Sequence, residues 1–169
     1  MTFPESLQKS ADALLARCRQ KGLMLVTAES CTGGLIAALL TEIPGSSDVF
    51  ERGFVTYSNA SKTQMLGVDA DLIAESGAVS EPVAAAMAQG ARKKSGVALA
   101  VAVTGIAGPS GGSAEKPVGT VIIAVVSENN TTVQTFHFSG DRNAVRLQSA
   151  EAALAMISAA LSGSFSSFA

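Results

Sequence analysis

The sequence predicts an α/β fold: a three-layer α/β/α domain around a central sheet that mixes parallel and antiparallel strands. Short apolar runs of strand character alternate with segments of helical spacing, the pattern of a layered α/β domain. Two of the runs, Val97–Val103 and Val121–Val126, are apolar throughout, as strands covered on both faces are. Asn129-Asn130 lies between two strand-like runs and reads as a hairpin turn, which adds an antiparallel pair.

The elements follow in order. Leu7, Ala11, Leu14, Leu15 and Cys18 share one face at helical spacing, in a helix entered near Pro4. Leu23–Thr27 is a short buried strand, and Gly34–Thr41 a helix that stops before Pro44-Gly45. Val49–Tyr57 alternates in part and reads as a second strand. Lys62–Leu66 begins a short helix after Ser58 and Asn59, both good caps, and Asp69 and Asp71 cap another that ends at Gly77. Ser80, Glu81 and Pro82 give the next helix a cap, an acid and a proline in its first turn; its cations cluster near Lys94, where the dipole favours them. The strand Val97–Val103 leads into the loop TGIAGPSGGSAEKP. Val118–Ser127 and Thr132–Phe138 then form the hairpin, and Asp141 opens a long final helix. A chain of 169 residues suits one domain, expected over residues 1–162, with a loose tail at 163–169.

Composition narrows the partners. Hydrophobic residues make up 47% of the chain and charged residues 15%, against about 25% charged in an ordinary domain. So few charges leave apolar surface to be covered, and a homo-oligomer is expected. A net charge of −2 supplies no basic field for a phosphate backbone, so nucleic acid is not an expected partner. The longest apolar runs fall well short of the roughly 20 residues needed to cross a bilayer, so no membrane association is expected. The first twenty residues carry charges throughout and lack the apolar core of a signal peptide. Two cysteines, Cys18 and Cys31, make neither a disulfide framework nor a zinc site, and fit a reducing cytoplasm.

Three segments sit at the carboxyl ends of predicted strands, where open α/β sheets bind ligands: ESCTGG, YSNASK and TGIAGPSGG. In ESCTGG, Ser30, Cys31 or Thr32 can simply cap a helix, and Gly33 and Gly34 can simply allow a tight turn. The same place offers chemistry: free backbone N–H groups near a helix start can hold an oxyanion, and glycines let a substrate approach them. A nucleophile also needs a base. His137, the single histidine, lies in the alternating strand TVQTFHF and reads as structural or exposed. Lys62 is the alternative. It sits near a helix start, where a cation is misplaced, and burial in a cleft would leave its amine neutral and able to take a proton from Ser30. Tyr57 can orient that amine or relay a proton. The loop after Val103 is neither a Walker motif nor a dinucleotide fingerprint, yet its N–H groups can form an anion site. Thr104 points into the same region, and Arg142 is a further anion contact.

AESCTGG, YSNASK and VTGIAGPSGGSAEKPVGTV, in this order and spacing, resemble the CinA C-terminal domain family over about residues 5–162. The resemblance implies an α/β/α fold, commonly oligomeric, that hydrolyses the carboxamide of nicotinamide mononucleotide to nicotinic acid mononucleotide and ammonia. It places the nucleophile at Ser30, with Tyr57 and Lys62 as partners, and implies no metal or organic cofactor. Larger members carry an additional N-terminal nucleotide-processing domain, whose activity is not carried over to these residues. On this basis neutral Lys62 activates Ser30, and N–H groups around Thr32, Gly33 and Gly34 hold the oxyanion. The substrate phosphate rests on the Gly105–Gly112 loop, with Gly105, Gly108, Gly111 and Gly112 as contacts, or on Arg142. Two rival expectations stand beside it: an amidase with Cys31 as nucleophile, and a non-catalytic nucleotide-binding or interaction module of the same fold.

Overall fold

A computed structural model of the chain describes residues 3–163. Strands β1 (Leu25–Glu29), β2 (Phe50–Val55), β3 (Leu99–Gly105), β4 (Thr120–Val126) and β5 (Thr131–His137) form one sheet in the order β2-β1-β3-β4-β5. β1 runs parallel to β2 and β3, while β4 runs antiparallel to β3 and β5. Helices α1 (Glu5–Lys21), α2 (Leu35–Thr41) and α6 (Arg142–Ser162) cover one face. The other face carries α3 (Asn59–Leu66), α4 (Ala70–Ser76) and α5 (Glu81–Ser95). The fold is the expected mixed three-layer α/β/α arrangement.

Alternation along the strands makes two unlike faces. Leu99, Val101, Val103, Val121, Ile123 and Val125 meet Leu14 and Leu15 of α1, Ile36 and Leu39 of α2, and Leu154 and Ile157 of α6. Each of these large side chains, when fully buried, contributes about 1.5–3 kcal/mol. On the opposite face the sheet offers Ala28, Ala100, Ala102 and Ala124 to Ala84, Ala88 and Ala91 of α5. Small against small lets α5 settle close. α5 also packs closely on α3 at Gly90, where an added Cβ would stand 2.1 Å from the Leu66 carbonyl oxygen.

Helix ends follow local chemistry. The Ser58 hydroxyl accepts from the N–H of Ser61, and the Ser61 hydroxyl accepts from the N–H of Ser58, a reciprocal cap that starts α3 at Asn59, one turn earlier than expected. Asp141 accepts from the N–H of Ala144 to open α6. A one-turn 3-10 segment, Ser46–Asp48, precedes β2 and was not anticipated. β1 was expected at Leu23–Thr27 but runs to Glu29, because Ala28 and Glu29 pair with Ala102 and Val103 of β3 and with Phe54 and Val55 of β2. β3 is displaced to match. The expected loose tail falls on residues 164–169, outside the described residues, apart from Gly163, which follows α6. Among the described residues no helix is long and apolar enough to cross a membrane.

Candidate active site

The carboxyl ends of β1, β2 and β3 lie side by side, and each delivers one of the three segments. The ladder continues past β1, with the Ser30 N–H donating to the Val103 carbonyl at 2.9 Å. It also continues past β2, with the Thr56 N–H donating to the Glu29 carbonyl at 2.8 Å. These bonds fix Ser30 and Thr56 as neighbours. Lys62, in the second turn of α3, reaches back over both: its Nζ lies 3.1 Å from Ser30 Oγ and donates to the Thr56 carbonyl at 3.0 Å. Residues 32 apart in sequence thus meet at one atom pair.

Lys62 is 1% exposed, and among the described residues no carboxylate forms an ion pair with it. Burial pushes its pKa below the ordinary 10.5; a charge on the Cys31 sulfur would act the other way. The shift is toward the neutral amine, the form that can accept the Ser30 proton. Cys31 stands beside it with the opposite bias. Burial, with a smaller contribution from the Glu29 charge, raises its thiol to about 12, and the N–H groups of Cys31 and Thr32 and the charge of Lys62 only partly counter this. A thiol so far from ionisation is a poor nucleophile.

A cavity of about 270 Å³ opens over these strand ends. It is lined by Ser30, Cys31, Tyr57, Lys62, Thr104, Gly105, Gly108, Gly111 and Arg142, all named from the sequence, together with Asn59, Val79, Ile106 and Ser110 among others. Thr104 Oγ1 donates to the Ala78 carbonyl at 2.8 Å, so its hydroxyl is engaged in joining β3 to the segment before α5. Arg142 donates from Nη1 to the Gly108 carbonyl at 2.8 Å and from Nη2 to the Tyr57 hydroxyl at 2.7 Å. Lys116 pins the far side of the glycine loop to the Val79 carbonyl at 2.7 Å.

Gly33, Gly34 and Gly112, expected to bind substrate, lie elsewhere, as does the side chain of Thr32. Gly33 and Gly34 line a neighbouring cavity of about 450 Å³ with Phe3 and Arg146. Their N–H groups are already engaged, Gly33 with the Ser30 carbonyl at 3.0 Å and Gly34 with the Glu29 carboxylate at 3.0 Å, so neither holds an oxyanion. Thr32 has its side chain fully buried outside the cavity, and its carbonyl accepts from Arg146 at 2.7 Å. Gly112 is a packing residue: a Cβ there would lie 2.7 Å from the Val118 nitrogen. The expected relay through Tyr57 is not formed either. Tyr57 is 59% exposed, and its hydroxyl bonds to Arg142 rather than to Ser30 or Lys62. His137 is exposed at the end of β5 and does not line the cavity; its Nδ1 lies 3.4 Å from Thr120 Oγ1.

Sequence reasoning missed Glu29. This carboxylate is 1% exposed and collects the N–H groups of Gly34, Ile36 and Ala37 at the start of α2, plus the Thr27 hydroxyl at 3.3 Å. The available signal was an acid a few residues before a short helix, which is where a helix N-terminus wants one. The Thr56 carbonyl that anchors Lys62 was also missed, and no side-chain pattern announces a backbone acceptor.

Fold and site together define a class: a three-layer α/β/α domain that carries a serine–lysine pair at its strand ends. The chain belongs to the CinA C-terminal domain family, whose profile matches residues 7–161. It is 56% identical over 144 residues to a CinA-like protein of Citrifermentans bemidjiense, covering 85% of this chain and 35% of that protein. A CinA-like protein of Geotalea daltonii is 58% identical over 136 residues, covering 80% and 33% respectively. The chain therefore spans roughly a third of the length of these curated relatives. Among solved structures, the competence/damage inducible protein CihA of Agrobacterium tumefaciens superposes with a TM-score of 0.92 at 48% identity, over 96% of this chain and 99% of that one. A CinA superfamily protein of Escherichia coli gives 0.87 at 33% identity, over 93% and 92%.

Proposed function

We propose that this domain is an amidohydrolase that converts nicotinamide mononucleotide to nicotinic acid mononucleotide and ammonia, with Ser30 as nucleophile and Lys62 as general base. The observation that carries this reading is the 3.1 Å approach of a buried, carboxylate-free lysine amine to a hydroxyl at a cavity wall. Hydroxyl and amine at hydrogen-bond distance form the activated-nucleophile arrangement.

The neutral Lys62 amine takes the Ser30 proton as Oγ adds to the amide carbon. The developing oxyanion is received by the N–H groups of Cys31 and Thr32, which have no acceptor oxygen among the described residues and face the Cys31 sulfur. The carbon–nitrogen bond then breaks, and protonated Lys62 returns its proton to the leaving ammonia. Water attacks the resulting serine ester with Lys62 again as base, releasing the carboxylate and restoring the Ser30 hydroxyl. Tyr57 and Arg142 frame the mouth, where Arg142 supplies a cation for the phosphate. The cavity, about 270 Å³, lies just under the usual size of small-molecule sites, roughly 300–1,000 Å³, so a mononucleotide would extend past its mouth.

The pure protein is expected to release ammonia from nicotinamide mononucleotide, and Ser30→Ala to abolish release without loss of fold. Full activity in Ser30→Ala, or no turnover of pyridine nucleotides and simple amides by the wild type, refutes the reading. The same proposal has the domain working in the cytoplasm as a homo-oligomer, with Val55 and Met65 among the exposed apolar side chains to be covered; a monomer by light scattering overturns that part.

A further inference from the structure

We infer that Glu29 is the positioning residue of the nucleophile turn: it engages the amides of α2 so that those of Cys31 and Thr32 are left to receive the oxyanion. The inference rests on the proposed serine–lysine reading and deepens it. Glu29 is not an acid or base for the reaction. Its side chain is 1% exposed, it does not line the cavity, and both oxygens are engaged. Oε2 accepts from the N–H of Gly34 at 3.0 Å and of Ile36 at 3.1 Å, while Oε1 accepts from the N–H of Ala37 at 2.8 Å and the Thr27 hydroxyl at 3.3 Å. No cation pairs with it among the described residues; three amides and the helix dipole do that work.

The consequence lies in which donors remain. Between Ser30 and Ala37, the amide of Ser30 binds the Val103 carbonyl, that of Gly33 the Ser30 carbonyl, and that of Leu35 the Thr32 carbonyl. Glu29 takes Gly34, Ile36 and Ala37. Cys31 and Thr32 are left, the two that directly follow the nucleophile. From the other side, Arg146 of α6 donates to the Thr32 carbonyl at 2.7 Å and holds the same turn. An acid thus sits next to the nucleophile in sequence while facing away from the chemistry.

The test compares Glu29→Gln and Glu29→Asp with the wild type, measuring kcat and KM for ammonia release, the folded fraction by urea titration, and the rate at which a fluorophosphonate labels Ser30. Glutamine keeps the length but turns an NH2 toward backbone donors, and aspartate keeps the charge but falls a methylene short. Removing one oxyanion donor costs on the order of 10²–10³ in turnover, so a misplaced one should cost about 10–100-fold. The expected result is a kcat per folded molecule lowered about 10–100-fold in Glu29→Gln and less in Glu29→Asp. KM should stay within about threefold, and labelling should slow in parallel. Wild-type kcat in folded Glu29→Gln overturns the inference. So does a loss in both variants that merely tracks the unfolded fraction, including failure of both to fold, because that marks a purely structural residue. A wild type that neither releases ammonia nor takes the label refutes the amidohydrolase reading instead, so the two failures are distinct.

Discussion

Replacing Gly90 by alanine tests whether packing on the alanine face of the sheet sets the position of the base. The new methyl carbon would stand 2.1 Å from the Leu66 carbonyl oxygen, 3.0 Å from its carbon and 3.1 Å from its Cβ. Ordinary carbon contacts lie near 3.5 Å, so the last turn of α3 must retreat by about 1 Å or more. Overpacking of this kind costs about 1–3 kcal/mol. The helix propensity gained on losing a glycine returns about 1 kcal/mol, leaving a net loss of about 0–2 kcal/mol. The catalytic consequence is larger. Lys62 lies one turn before Leu66 on the same helix, so the displacement carries its Nζ from 3.1 Å to about 4 Å from Ser30, beyond hydrogen-bond reach. A misplacement of 1 Å can cost about 10²-fold. Urea unfolding measures the first effect and the rate of ammonia release from nicotinamide mononucleotide the second. An unchanged rate, whether or not stability falls, would refute the idea that α5 positions Lys62 through α3.

Lys62→Met should abolish ammonia release, and its stability relative to the wild type should depend on pH. The folded pKa of Lys62 is depressed below the 10.5 of the unfolded chain, so the unfolded state binds more protons between the two values. The resulting penalty on the wild type is full below the folded pKa and disappears as pH climbs past about 10.5, so the relative stability of Lys62→Met should fall as pH rises from the folded pKa toward 10.5; a flat difference contradicts a depressed amine. Wild-type turnover should rise with pH as the same amine deprotonates. Cys31→Ala should keep activity within a few-fold, since its thiol titrates near 12; loss comparable to that of Ser30→Ala would make sulfur the nucleophile. Tyr57→Phe, which breaks the 2.7 Å bond to Arg142, should raise KM several-fold and leave kcat within about threefold. A loss confined to kcat would return Tyr57 to the proton path.

The layers were legible because their signals are local. Val97–Val103 is apolar at every position, as a strand with helices above and below must be, and Ser80-Glu81-Pro82 is a helix start that needs nothing from the rest of the chain. Glu29 hid the true end of β1, since a charged residue ordinarily marks a surface and here its charge is neutralised by amides that only the folded turn assembles. Gly33 and Gly34 were expected to contact substrate, yet it is the alternative reading, a tight turn, that their left-handed φ of +61° and +91° fits. What periodicity could not supply was the direction in which that turn leaves its amides, because the acceptor that takes Gly34 is a side chain five residues back. The meeting of Ser30 with Lys62 follows from the parallel pairing of β1 and β2, a tertiary fact that the motif suggested and spacing alone did not contain.

The sheet also separates the two reacting groups mechanically. Ser30 leads into α2 and the larger core, while Lys62 belongs to α3 and the alanine-rich one, and they touch only where the strands run out. Loosening either core by a fraction of an ångström would part them while the rest of the molecule kept its shape. Heat should therefore silence such a domain several degrees before it melts.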